Sequence, residues 1–389
     1  MLRKQFIWVV VLLLILTPSL WAQFKLLHVF SGTASDGGNP LGSLIVKGST
    51  LYGMTYGGGA FNTGAVFKIN INGTGFRVLH SFVGGASDGL TPYGSLVLYG
   101  STLYGMTPYG GASDNGTIFK INIDGTGFRV LHLFAGGASD GARPWGALTL
   151  VGTTLYGMTE SGGAGGMGIV FKIKLNGTGF QLLHTFAGGP DGAYPRGSLK
   201  YAGTKLYGMT WQGGTSGEGT VFTISPGGTG YSVLHSFSLS ALDGAGPRYG
   251  TLAAANSVLY GMTFNGGVLG LGVVFKINTN GTGFSVLHSF TGTASNGSYP
   301  MGGLILVGTK LYGMTNDGGS GTLGTIFRIN VNGTGFELLH SFLSGATDGA
   351  SPTGSLLRKV STTYGDRLYG MTYYGGDYGL GTIFSYKLK

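Results

Sequence analysis

The sequence predicts an all-β fold, a seven-bladed β-propeller of four-stranded antiparallel blades whose ring is closed by the N-terminal strand joining the C-terminal blade. Three observations carry this expectation. Leu-Tyr-Gly-Met-Thr occurs seven times, starting at Leu51, Leu103, Leu155, Leu206, Leu259, Leu311 and Leu368. A period of about 50 residues marks repeats whose small sheets bury their faces only by stacking on one another. Within each period, four short apolar runs alternate with Gly-rich turns. Finally, the repeats start with an orphan fourth strand, Phe24 to Phe30, and end with an orphan third strand, Thr382 to Tyr386. Seven complete sets exist only if both ends share one blade, an overlap that protects sheet edges from pairing with other chains.

Ahead of the repeats, Arg3 and Lys4 precede an unbroken apolar run from Phe6 to Leu16, and Pro18 to Ala22 leads to a small residue before Gln23. The run is short for a bilayer span, so residues 1–22 are expected to be a signal peptide cleaved near Ala22, with an uncleaved anchor as the alternative. The sequence has no cysteine, which argues against a lipoprotein and excludes a disulfide-stapled mini-domain. Stability must come from packing, which residues 23–389 can supply as one propeller domain. Nothing at the C-terminus resembles a membrane anchor. The expectation is a secreted protein, periplasmic or extracellular, monomeric and without stable membrane insertion after cleavage.

The second repeat shows the strands in order. Tyr93 to Leu98 is the expected first strand, Thr102 to Thr107 the second, Thr117 to Ile121 the third and Phe128 to Phe134 the fourth. Each is rich in β-branched, aromatic and aliphatic residues between breaks. Third and fourth strands are joined by Asn-Gly-Thr-Gly, as at Asn72 to Gly75, or by related turns such as Ser225 to Gly228. Asn and Gly supply the positive φ of tight hairpins. The Asn-Gly-Thr triplets also match a glycosylation acceptor, but the hairpin already explains them. Linkers between blades repeat as well, from Asp36-Gly37 to Pro40 and so on to Asp348 and Pro352, with Asn296 in one. Asp or Asn before Gly folds onto its own backbone, and Pro fixes φ ahead of an inner strand.

Alternation in Leu-Tyr-Gly-Met-Thr places Tyr and Met on one face and Leu, Gly and Thr on the other. The Gly is expected where a neighbouring sheet comes close, and Met to fill gaps between blades. All seven histidines, His28, His80, His132, His184, His235, His288 and His340, occupy one position in the fourth strand. Equivalent imidazoles spread around a ring cannot converge on one metal, so a buried or half-buried hydrogen-bonding role is expected. One Asp per linker is too few for a calcium loop. No metal and no cofactor are expected.

Loss of Arg3 and Lys4 leaves 21 Lys and Arg against 14 Asp and Glu, a net charge of about +7. Five cations, Lys68, Lys120, Lys172, Lys276 and Arg328, share one repeat position and are spaced around the ring. They form no basic stripe, so no nucleic-acid partner is expected.

The tandem blocks Leu-Tyr-Gly-Met-Thr, Gly-Gly, Gly-Thr-Val/Ile-Phe-Lys-Ile, Asn-Gly-Thr-Gly-Phe and Leu-His-Ser-Phe resemble the bacterial "GloVer" repeat family, described from Gloeobacter and Verrucomicrobia. The resemblance covers residues 24–389. It implies an exported repeat protein without an assigned biochemical role. Members of the family often carry a C-terminal anchor, which this sequence lacks. The Gly-Gly after the second strand resembles kelch repeats, and Leu-Tyr-x-x-Thr the YWTD type. Both are propellers.

Function is sought where the repeats differ. In a propeller the loops from second to third strand and from outer strand to the next blade share one face around the channel mouth, and two variable columns fall there. One follows Met-Thr: Tyr56, Pro108-Tyr109, Glu160, Trp211-Gln212, Phe264-Asn265, Asn316-Asp317 and Tyr373-Tyr374. The other follows the linker Pro: Leu41, Tyr93, Trp145, Arg196, Arg248-Tyr249, Met301 and Thr353. Aromatic rings interleaved with amides, carboxylates and Arg suit a carbohydrate or peptide ligand. The expected ligand-binding set is Tyr56, Tyr93, Tyr109, Trp145, Glu160, Arg196, Trp211, Arg248, Tyr249, Phe264, Asp317, Tyr373 and Tyr374, with Trp145 and Trp211 as stacking platforms. A non-catalytic binding module is the leading reading. A structural or protein-interaction scaffold is the second. A glycan-active hydrolase or lyase is the third, since Asp114, Glu160, Glu218, Asp317 and Asp377 could supply an acid and a base, although no spacing shows that any two meet.

Overall fold

A computed structural model describes residues 23–388; the expected signal peptide lies outside them. Seven four-stranded antiparallel sheets form the blades. In blade 2 the strands from the channel outward are Val97–Tyr99, Thr102–Thr107, Thr117–Asn122 and Arg129–Leu133. The seventh blade combines Leu357–Ser361, Gly365–Thr372 and Thr382–Lys387 with Phe24–Val29 from the other end of the chain. Phe24 pairs with Tyr386 and Val29 with Thr382, antiparallel. The ring is therefore closed by the overlap that the sequence implied.

The inner strand is shorter than expected. Ladder pairing starts at Val97, not Tyr93, because the preceding residues serve contacts between blades. A Cβ on Gly94 would overlap the carbonyl oxygen of Gly146 in the next blade, and the same relation links Gly42 to Gly94, Gly146 to Gly197, Gly197 to Gly250, Gly250 to Gly302, Gly302 to Gly354 and Gly354 back to Gly42. Only glycine permits this belt. Serines stitch it: the amide of Ser43 donates to Ser95 Oγ, and that of Ser355 to Ser43 Oγ, each at 2.7 Å.

Packing between blades follows the period of two. Tyr52, Met54, Val66 and Phe82 of blade 1 are buried against Leu96, Leu103, Phe119 and Ile121 of blade 2. The closing interface is built alike, with Tyr369, Met371 and Ile383 against Leu44, Leu51, Phe67 and Ile69. The motif glycine has a different cause from the one expected. A Cβ on Gly53 would meet the ring of Phe67, its partner in its own sheet, so the glycine makes room for that Phe and not for a neighbouring blade.

Each histidine forms a hydrogen bond that ties its outer strand to the linker. His28 Nε2 lies 2.9 Å from Asp36 Oδ1, and Asp36 also accepts from the amides of Ser31 and Gly37. On its flat side, the His28 ring stacks on Phe76 of the next blade with centroids 3.9 Å apart. The pattern repeats around the ring to His340, which pairs with Asp348 and stacks on Phe24. Burial pulls the Asp36, Asp140 and Asp243 carboxyls upward, but the His and amide donors outweigh it and hold them below the ordinary Asp value. His288 faces Asn296 instead, and there burial depresses the imidazole pKa.

Candidate functional site

The linker and the loop after the second strand do share one face. Six two-residue ladders join them, as where Gly89 pairs with Gly110, and an Ala193–Gln212 bridge serves blade 4. The residue before each linker Pro is the hinge of this arrangement. Asn39, Thr91, Arg143, Tyr194, Tyr299 and Ser351 all have φ between 49° and 58°, the left-handed region that costs a side-chain-bearing residue about 1 kcal/mol or more. Only blade 5 places a glycine there, Gly246. The strain serves two backbone hydrogen bonds. The Arg143 amide donates to Asn115 O in the preceding blade, and its carbonyl accepts from the amide of Glu160 in its own. Tyr56, Trp211, Phe264, Asn316 and Tyr373 hang from the equivalent carbonyls. The variable columns are thus carried on a rigid frame.

Seven of the thirteen expected residues meet in a cup of about 390 Å³ at the mouth: Tyr56, Tyr93, Tyr109, Trp145, Tyr249, Tyr373 and Tyr374. Leu41, Met301, Asn316 and Thr353, from the same columns, complete it together with Ser351. Ser351 was missed because the pre-proline column, variable in its own right, looked like part of a turn. Burial raises the pKa of the Tyr93, Tyr109 and Tyr373 hydroxyls, so they remain protonated donors.

One inserted residue shapes the floor of the cup. Blade 5 alone has two residues, Arg248 and Tyr249, between its linker Pro and belt Gly. Belt contacts at Gly250 are kept, so the extra length is pushed into the channel. The Tyr249 ring reaches Tyr93 of blade 2, centroids 4.5 Å apart, while Trp145 meets the Tyr93 ring edge-on at 5.0 Å. These three rings, with Leu41 and Thr353, line both the cup and a second cavity of about 790 Å³ along the inner strands.

The other six expected residues lie outside the cup lining. Glu160 is buried and accepts from Trp145 Nε1 at 2.8 Å and Arg196 Nε at 2.7 Å. Its carboxylate fixes the Trp145 ring and neutralises Arg196, which leaves it poorly placed for proton transfer. Arg196 lies 3.7 Å over the Trp211 ring, covering one face of the second expected platform. Arg248 lies 3.7 Å over Phe264, whose ring also stacks with Tyr299. Asp317 is half-buried, and burial raises its pKa. Asp114 Oδ1 caps the Gly110 amide. No group of three or more His, Asp or Glu suited to a metal occurs among the described residues.

The profile of the Gloeobacter/Verrucomicrobia repeat matches residues 15–217, 100–254 and 202–389. No curated protein matches the chain. Among solved structures, an oligogalacturonate lyase in complex with manganese is similar, at 10% identity over 91% of this chain and 90% of that one, with a TM-score of 0.55. The nidogen/laminin complex matches at 14% identity, covering 77% and 94%, TM-score 0.45. TolB from Acinetobacter baumannii matches at 10%, covering 89% and 78%, TM-score 0.41. At such identities the lyase likeness speaks for the fold alone.

Proposed function

This chain belongs to the Gloeobacter/Verrucomicrobia repeat family, and from that footing we propose that it is an exported, monomeric binding module that takes a short carbohydrate in the aromatic cup at its channel mouth. The observation that carries the reading is the gathering of seven aromatic side chains on one face of an otherwise repetitive ring. Repeats that only had to pack would not need a different residue in each blade there. The cup volume falls within the range of small-molecule sites. Stacking faces ringed by Tyr hydroxyls, Asn316, Ser351 and Thr353 suit a sugar, whose ring has apolar faces and a hydroxyl rim. The occupied state of Glu160 favours binding without turnover.

The test is a glycan array and a peptide array probed with residues 23–389, followed by calorimetry on wild type and Trp145→Ala. Saturable glycan binding, weakened about tenfold or more in the variant with little change in melting temperature, supports the reading. Peptide-only binding, or glycan turnover, refutes it.

A further inference from the structure

Arg248 is an unpaired cation beside the cup. It belongs to the inserted pair that also supplies Tyr249, and Tyr249 lines the cup. Its guanidinium lies on the Phe264 ring, and its Nε is buried without a hydrogen-bond partner. No acidic residue forms an ion pair with it among the described residues, whereas Arg196 one blade away has Glu160. Burial, with repulsion from Arg196 as a further contribution, lowers its proton affinity, which an anion would reverse. A buried guanidinium N–H left unpaired costs free energy. Purely structural packing on Phe264 would be served by an apolar or amide side chain without that cost. Arg143, exposed and 5.9 Å from the ring centre of the cup residue Tyr109, is a second cation near the mouth, two blades away from Arg248.

We propose that Arg248 is an anion-recognition residue and that the carbohydrate bound at this mouth carries a carboxylate, as a uronic acid does. The inference rests on the cup reading and narrows its ligand class. With its flat face on Phe264 and its Nε enclosed, the half-buried guanidinium has its two terminal Nη groups left as an end-on pair of donors, which matches the two oxygens of a carboxylate. A sugar ring stacked in the cup would then be oriented by its carboxylate at Arg248.

The test uses residues 23–389 on an array holding gluco-, galacto- and manno-oligosaccharides, each as the neutral sugar and as the uronate, with affinities from calorimetry. Wild type is expected to prefer a uronate over its neutral twin by tenfold or more, and added salt should erode the preference. Arg248→Gln should abolish that preference, bringing uronate affinity down to that of the neutral twin measured on the same variant. Arg248→Lys, which keeps the charge and loses the paired donors, should fall between. Equal wild-type affinity for neutral and acidic twins, or a preference that survives Arg248→Gln in a folded variant, overturns the proposal while the cup reading stands. Neutral binding indifferent to Trp145→Ala overturns the cup reading, as does an array on which nothing binds, and the proposal falls with it.

Discussion

Tyr249 and Tyr93 touch across the channel, ring centroids 4.5 Å apart, although they belong to blades three places apart in the ring. One inserted residue in the blade 5 linker brings this about, and the two rings line both the cup at the mouth and the cavity along the inner strands.

Truncation should undo that contact. In Tyr249→Ala, Tyr93 loses the neighbour that adds to its burial, so its hydroxyl should titrate closer to the ordinary value, seen by ultraviolet absorbance. Melting temperature should change little, because Tyr249 belongs to none of the buried clusters between blades. A large loss of stability would show that the ring is a structural plug.

Closure gives a second expectation. Deleting residues 23–30 removes the strand paired with Thr382–Lys387 and takes Phe30 from a buried cluster. It should lower stability by about 3 kcal/mol or more, or cause aggregation through the freed edges. A truncated chain that melts like residues 23–389 would contradict the shared blade.

The histidine ring predicts a pH response of known sign. Asp36, Asp140 and Asp243 have depressed pKa values, so their stabilisation is present above the ordinary Asp value, about 3.8, and is lost as pH falls through the lower folded values. His288 behaves differently. Its folded pKa lies below the ordinary 6.5, so the unfolded chain binds its proton first and stability falls as pH drops below about 6.5. Asn296→Asp supplies the carboxylate that six other blades have. It should raise the His288 titration point by NMR and improve stability at pH 5 by on the order of 1 kcal/mol or less. An unchanged His288 titration would refute this account of the pair.

Much of the fold was legible because it is repeated. Seven copies of Leu-Tyr-Gly-Met-Thr fix strand position and face, and the two orphan strands fix the blade count. What eluded sequence reasoning depends on contacts between blades. The role of Gly94 is set by Gly146, one repeat away. His28 with Asp36 and Phe76 joins three elements, and no single repeat shows them as neighbours. The site was legible as two columns but not as a cup. Trp145 and Trp211 looked equivalent as lone tryptophans, yet Glu160 aims one into the cup while Arg196 covers the other. The extra residue at Arg248-Tyr249 was visible, but its reach across the channel depends on ring diameter.

The most direct test of the binding account uses the light emitted by Trp145. Of the four tryptophans, Trp8 and Trp21 fall within residues 1–22, so residues 23–389 carrying Trp211→Phe contain Trp145 alone. Titrating this protein with the tightest glycan from an array should shift or quench the Trp145 emission saturably, with the same midpoint as calorimetry. A glycan that binds by calorimetry and leaves the Trp145 emission unchanged would place the ligand elsewhere and contradict the cup as the binding site.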